Sequence, residues 1–348
     1  MGSGLRSQVS GLRDPIVDSL RGLGIILIVV GHVIIWLNRS GVIFPNDILI
    51  KDYVYSFHVP LLFIVSGFVH GIKDRFNDGK GYFFHAKKSF VDIYLPYLLF
   101  SYLGWFTSII FFSPSSNPIN FNAANYSEFF RIPYIGFREY WYLCTLFEIK
   151  LVHTALECRL KSRIPIIIFW VLIFLLINYV NQNIFSLPVY VFRFSRGIYF
   201  CAGYVMKKFN LISRDRNPGV LLGIILFIAG TLCFFAPVHN LFISTLTTSS
   251  ICLGLFSLFY ALEVKNKFLV SCGVISMVIY IVHDYVIFSL TLIYRFTGFL
   301  SSTPLIADLL CLILAVLVPH LVVKIYRNVK FLHWVEYTFY PGKLLLKK

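Results

Sequence analysis

A chain of 348 residues with 58% hydrophobic, 18% aromatic and 14% charged side chains and a mean hydropathy of +0.77 lies outside the range of soluble domains and reads as a polytopic membrane protein. A net charge of +15 would suggest nucleic acid for a soluble chain, but here the basic residues fall in short loops between apolar runs, which is a topology pattern. Nucleic acid is therefore excluded as a partner, and membrane lipid is the expected surrounding.

At roughly 20 apolar residues per crossing, ten spans are expected, at about 20–37, 54–71, 93–112, 141–156, 164–180, 189–206, 219–236, 242–261, 269–293 and 304–323. The first apolar run begins near Leu23 and is too long, without a small-residue cleavage site, to be a removable signal peptide, so it is expected to remain as an anchor. The loops alternate in charge: the N-terminus, the even-numbered loops and the tail hold 24 of the 31 Lys and Arg residues. Both termini are expected in the cytoplasm, and an odd number of spans would break the alternation. No internal repeat or long linker is visible, so residues 1–348 read as one membrane domain, all-α, with helices around a central polar cavity. The longest stretch between spans, residues 113–140, is expected outside as an ordered loop or lid. The seven cysteines have no metal-type spacing and lie mostly within or beside apolar runs, so they read as small packing residues, with no disulfide or metal expected.

Span 1 contains Asp18-Ser-Leu-Arg21 and, eleven residues after the arginine, His32. Helical geometry returns these two side chains to nearly one face, roughly 16 Å apart along the axis. Ionisable groups at membrane depth cost roughly 2.5–3.5 kcal/mol on insertion scales and line cavities, pair, or do chemistry. Histidine is the best general base among them; a histidine hydrogen-bonded to a neighbouring helix is the structural alternative. Span 2 places His58 before Pro60 in a run that ends in Ser66-Gly67; span 4 opens on Trp141 and carries Glu148; Arg193 and Arg196 open span 6; span 9 carries Ser276, Tyr280, His283 and Asp284; span 10 carries Asp308 and His320.

Gly31-His32 with Arg21, the Phe-His58-x-Pro60 run ending in Ser66-Gly67, Trp141-Tyr142-Leu143, Phe200-Cys-Ala-Gly203-Tyr204 and Gly273-x-x-Ser276-x-x-x-Tyr280-Ile-Val-His283, taken in order, resemble the acyltransferase 3 family of integral-membrane acyltransferases, on the side of its fucose 4-O-acetylase-like branch. The resemblance covers nearly the whole chain. It implies transfer of an acyl group, commonly acetyl from cytoplasmic acetyl-CoA, to a hydroxyl of an envelope carbohydrate such as O-antigen, capsule, exopolysaccharide or a lipid-linked sugar, by an enzyme of the bacterial inner membrane. It also implies functional roles for Arg21 and His32. Where the family usually shows an Arg-x-x-Arg pair before a Pro-Tyr, this chain has His85, Lys87, Lys88 and Asp92 before Pro96-Tyr97. Lys87 and Lys88 are expected to meet the phosphates of the donor as point charges, or to serve topology alone.

For chemistry, His32 is expected as general base or as acyl acceptor. His58, Trp141 and His283 would shape the acceptor end, and Ser66, Ser276 or Tyr280 would donate to the thioester oxyanion. Glu148 is the first candidate for a carboxylate that orients His32, and Asp284 the second. Arg193 and Arg196 would bind an anionic sugar or lipid pyrophosphate, or snorkel to the interface. A transporter or flippase of a lipid-linked sugar is the alternative from another class, but the paired broken helices of such folds are not visible in corresponding halves. The acceptor sugar is not legible.

Overall fold

The computed structural model describes residues 14–39, 41, 45–72, 79–111, 126–136, 138–160, 162–212, 216–238, 240–297 and 304–345. Among these residues there is no strand. The helices are α1 (Pro15–Arg39), α2 (Asp47–Tyr55), α3 (His58–Gly71), α4 (Gly79–Ser89), α5 (Leu95–Phe111), α6 (Tyr126–Ile135), α7 (Trp141–Arg159), α8 (Ile164–Asn183), α9 (Val189–Phe194), α10 (Gly197–Lys208), α11 (Arg216–Phe234), α12 (Leu241–Ala261), α13 (Lys267–Val274), α14 (Ser276–Thr297), α15 (Pro304–Asn328), α16 (Val335–Phe339) and α17 (Gly342–Leu345). Seven stretches among the described residues are long and apolar enough to cross a membrane: Pro15–Arg39, Asp47–Gly71, Ile164–Asn183, Arg216–Phe234, Leu241–Ala261, Ser276–Tyr294 and Leu305–Asn328. The protein is a multi-pass membrane protein. The other three expected crossings, 93–112, 141–156 and 189–206, fall on helices that are short, charged or interrupted. All seven cysteines are free thiols, five of them buried.

The chain divides into two compact units. The first comprises Met1–Trp36, Ile43–Ile72 and Ala202–Pro319. Its α1 starts where the sequence supplies a cap: Asp14 Oδ1 accepts from the Ile16 N–H at 2.9 Å, and Pro15 occupies the first helical position, where its missing N–H costs nothing. Tyr260 donates to Asp14 Oδ2 at 3.0 Å, which ties α12 to the foot of α1. Backbones approach closely at glycines: a Cβ on Gly273 would overlap the carbonyl oxygen of Asp18, and one on Gly203 that of Ile64. These close contacts press α13 onto α1 and α10 onto α3. The expected ninth span is broken, since α13 ends at Val274 and α14 begins at Ser276.

The second unit comprises Leu37–Val42, Lys73–Cys201 and His320–Lys348. Here α4 and α5 form one rod from Gly79 to Phe111 with a π turn at Phe90–Tyr94, in which the Leu95 N–H reaches the Phe90 carbonyl. Pro96 has no N–H to return to Asp92 and its ring would crowd that carbonyl, so the wide turn before it relieves the conflict. Part of the expected outer loop is helix: α6 runs antiparallel along the rod. Trp105 and Tyr102 pack on Phe129 at 5.0 and 4.9 Å, the Tyr97 hydroxyl donates to the Ile132 carbonyl, and the Tyr94 hydroxyl donates to the Pro133 carbonyl at 2.7 Å. Further along, Phe147 of α7 stacks on Tyr94 at 4.6 Å. So α6 and α7 follow one another beside the rod, with Gly136 at φ +73° and the 3-10 turn Arg138–Tyr140, whose Arg138 has φ +41°, between them. Residues 112–125 lie outside the described ones.

The last carbonyls of α6 have no partner in their own helix, and the two tyrosines supply one each. Replacing Tyr94 and Tyr97 together by Phe should cost about 1–3 kcal/mol per stranded carbonyl. The double variant should melt several degrees lower in nanodiscs and be cut faster by protease within residues 126–140. An unchanged melting temperature would show that these bonds do not hold α6.

Candidate active site

The site assembles in the first unit, where α1 and α14 bring His32, His283 and Asp284 together. His32 Nδ1 lies 2.8 Å from His283 Nε2 and 3.1 Å from Asp284 Oδ1. The two imidazoles stack with centroids 4.9 Å apart and planes 24° from parallel. His283 is fully buried, and the side chains of His32 and Asp284 keep 14% exposure each. The indole of Trp36, one turn after His32 on the same face of α1, also hydrogen-bonds Asp284.

The donors and acceptors fix the tautomers. His283 Nδ1 lies 2.9 Å from the Ile279 carbonyl, which can only accept, so Nδ1 carries the proton and Nε2 of the neutral ring is an acceptor. His32 Nδ1 faces that acceptor and a carboxylate, so it must be the donor to both. The proton of neutral His32 is therefore on Nδ1, and Nε2 is its basic nitrogen. This is the arrangement in which a carboxylate holds a histidine in the tautomer needed for proton abstraction.

The backbone around His32 is cut to fit. Gly31 has no side chain where a Cβ would run into the Tyr55 ring, so Tyr55 packs directly on α1 beside His32. His58 is buried, its Nδ1 donates to the Val54 carbonyl at 2.8 Å, and its ring lies 4.6 Å from that of Tyr55. His58 thus closes the turn between α2 and α3. Tyr280 is buried, one turn before His283, with its ring 6.2 Å away. Ser276 is half-buried at the start of α14 and Ser66 half-buried on α3. Arg21 pairs with Asp18 at 3.2 Å, three turns before His32 on α1.

The remaining candidates other than Asp308 lie in the second unit. Glu148 takes a weak 3.7 Å contact from Cys144 Sγ on its own helix. Asp284, the second choice from sequence, is the carboxylate at His32. Trp141 is the first residue of α7, and the Arg193 guanidinium lies 4.5 Å over its ring while Nη1 contacts the carbonyls of Ile135 and Gly136 at 3.4 Å. Arg196 lies near the rings of Phe192 and Tyr199. Lys87 is exposed on α4, whereas Lys88 is paired with Asp92 at 3.1 Å. Asp308 and His320 lie on α15. Sequence reasoning missed Trp36; its spacing of four from His32 is the signal that would have found it.

The family model for the acyltransferase 3 domain matches residues 14–324. The chain belongs to the acyltransferase 3 family. The match spans every element of the His32 cluster and is to the family as a whole, without resolving a branch. No curated protein and no solved structure matches the chain significantly. Family membership makes this protein a membrane acyltransferase.

Replacing Asp284 by Asn keeps the shape but removes the acceptor that holds His32 Nδ1–H. Loss of the equivalent carboxylate in a serine-protease triad costs about 10⁴ in kcat, and a fall of about 10²–10⁴ in acyl transfer is expected here, with Glu148→Gln remaining near wild type. The reverse ranking would return the orienting role to Glu148.

Proposed function

We propose that the protein moves acetyl from cytoplasmic acetyl-CoA to a hydroxyl of a cell-envelope carbohydrate, as a multi-pass enzyme of the bacterial inner membrane with both termini in the cytoplasm. The observation that carries this reading is the hydrogen-bonded set His32, Asp284 and His283 inside a chain of the acyltransferase 3 family. Ester formation needs a base at neutral pH for a hydroxyl that does not ionise by itself, and a neutral imidazole with a fixed tautomer is suited to that task.

In the proposed reaction, His32 Nε2 takes the proton of the acceptor hydroxyl as its oxygen attacks the thioester carbonyl. The tetrahedral intermediate collapses, the carbon–sulfur bond breaks, and the proton returns from His32 to the departing CoA sulfur. The positive charge that develops on His32 is offset by Asp284, which accepts from Nδ1. Tyr280 and Ser276, on the same helix as His283, are the nearest of the expected donors along the chain for the oxyanion. Arg21 and the exposed Lys87 are the proposed cations for the donor's phosphates; Lys88, already paired with Asp92, contributes less. Trp141 and Arg193 form a cation–π pair that is suited to a sugar face and an anionic group on the acceptor side. The fucose 4-O-acetylase-like branch and an O-antigen, capsule, exopolysaccharide or lipid-linked acceptor remain part of this proposal.

The test uses purified protein in nanodiscs with radiolabelled acetyl-CoA and envelope polysaccharide, read by NMR of the acetyl groups. His32→Ala and His32→Gln should both lose about 10²–10⁴ in rate with melting temperatures close to wild type. Glutamine keeps hydrogen bonding but takes no proton near neutrality, so an active, well-folded His32→Gln protein would overturn the base assignment.

A further inference from the structure

The same three side chains are arranged as a cation would need them. Four-coordinate zinc bonds nitrogen and oxygen at about 2.0–2.2 Å, which places neighbouring ligand atoms roughly 3.3 Å apart. His32 Nδ1, His283 Nε2 and Asp284 Oδ1 are separated by 2.8, 3.1 and 3.6 Å, so they form one triangular face that an ion can cap with little movement. Two imidazole nitrogens and one carboxylate suit first-row divalent ions. Supporting bonds are present as well: His283 Nδ1–H is held by the Ile279 carbonyl, and Asp284 is held by the Trp36 indole. The partial exposure of His32 and Asp284 provides the side from which an ion enters and where a fourth ligand, water, would sit.

We propose that His32, His283 and Asp284 form a binding site for Zn²⁺, and that its occupation switches off acyl transfer. The second half rests on the reading of His32 as the base. The ion and the proton compete for one lone pair: Zn²⁺ bound to His32 Nδ1 takes the position of the proton, which is relocated through water to Nε2, so that the ring stays neutral in the other tautomer. A ring protonated there takes no proton from a hydroxyl. It also loses its bond to Asp284, whose oxygen is now a ligand. A cation at this position is thus an inhibitor in competition with the working tautomer.

The experiment titrates Co²⁺, as a visible probe, and then Zn²⁺ into the full chain in nanodiscs after treatment with a chelator. One Co²⁺ per chain should bind with d–d absorption bands of a nitrogen–oxygen site, and Zn²⁺ should displace it. Asp284→Asn and His283→Gln should each abolish the bands, the isosteric Asp284→Asn guarding against a folding defect at the buried histidine. Acyl transfer should fall in step with Zn²⁺ occupancy and return with chelator. Absence of bands in the wild type, or bands that persist in both variants, would overturn the site. Because the spectrum needs no turnover, a failed transfer assay leaves the test of the site intact. Transfer that is lost to chelator and restored by Zn²⁺ would overturn both the inhibition and the base reading.

Discussion

A carboxylate placed inside a membrane helix must be paired and hydrogen-bonded, because its desolvation otherwise exceeds what the fold can offset. Asp284 meets this requirement through His32 and Trp36, two residues one turn apart on α1, and His283 next to it is held by its own helix backbone. The pairing fixes the rotation of α1 against α14 and, with it, which nitrogen of His32 is basic. The neighbouring contacts keep that rotation: Gly273 against the Asp18 backbone sets the approach of α13, and Gly31 admits Tyr55 beside the histidine. A structural interaction and a chemical one are here the same set of hydrogen bonds.

The interruptions of the helices have local causes that bear on function. Backbone groups freed at a break need partners within the protein when water is absent. At the end of α6 they find Tyr94, Tyr97 and Arg193, each from a different turn of a neighbouring element. The α7 helix after that end opens on Trp141, and the break before Ser276 starts the helix that delivers Tyr280, His283 and Asp284. Broken helices are tolerated at membrane depth where the protein itself partners the backbone groups they free.

Much of this was legible in the sequence. The apolar runs located the seven long apolar stretches, although two of the starts, at 54 and 269, miss those of Asp47–Gly71 and Ser276–Tyr294 where a turn interrupts the helix nearby, and Arg21 and His32 stood out because charge is costly in such a run. The family resemblance followed from motifs kept in order. What was not legible came from partners distant in sequence. Choosing between Glu148 and Asp284 requires knowing which helix faces His32, which no local pattern encodes. The π turn at Phe90–Tyr94 and the helical character of residues 126–135 were hidden because tertiary hydrogen bonds from tyrosines, not propensity or hydropathy, hold the latter in place.

The central claim is that His32 carries its proton on Nδ1, donated toward Asp284 and His283, so that Nε2 is the base. Nitrogen-15 NMR of protein labelled at histidine, with His32→Gln to assign the ring, reports this directly. The account predicts a proton-bearing Nδ1 and an unprotonated Nε2 for His32 at neutral pH, with the preference lost in Asp284→Asn. A His32 ring protonated on Nε2 with a bare Nδ1, unchanged by Asp284→Asn, would contradict it.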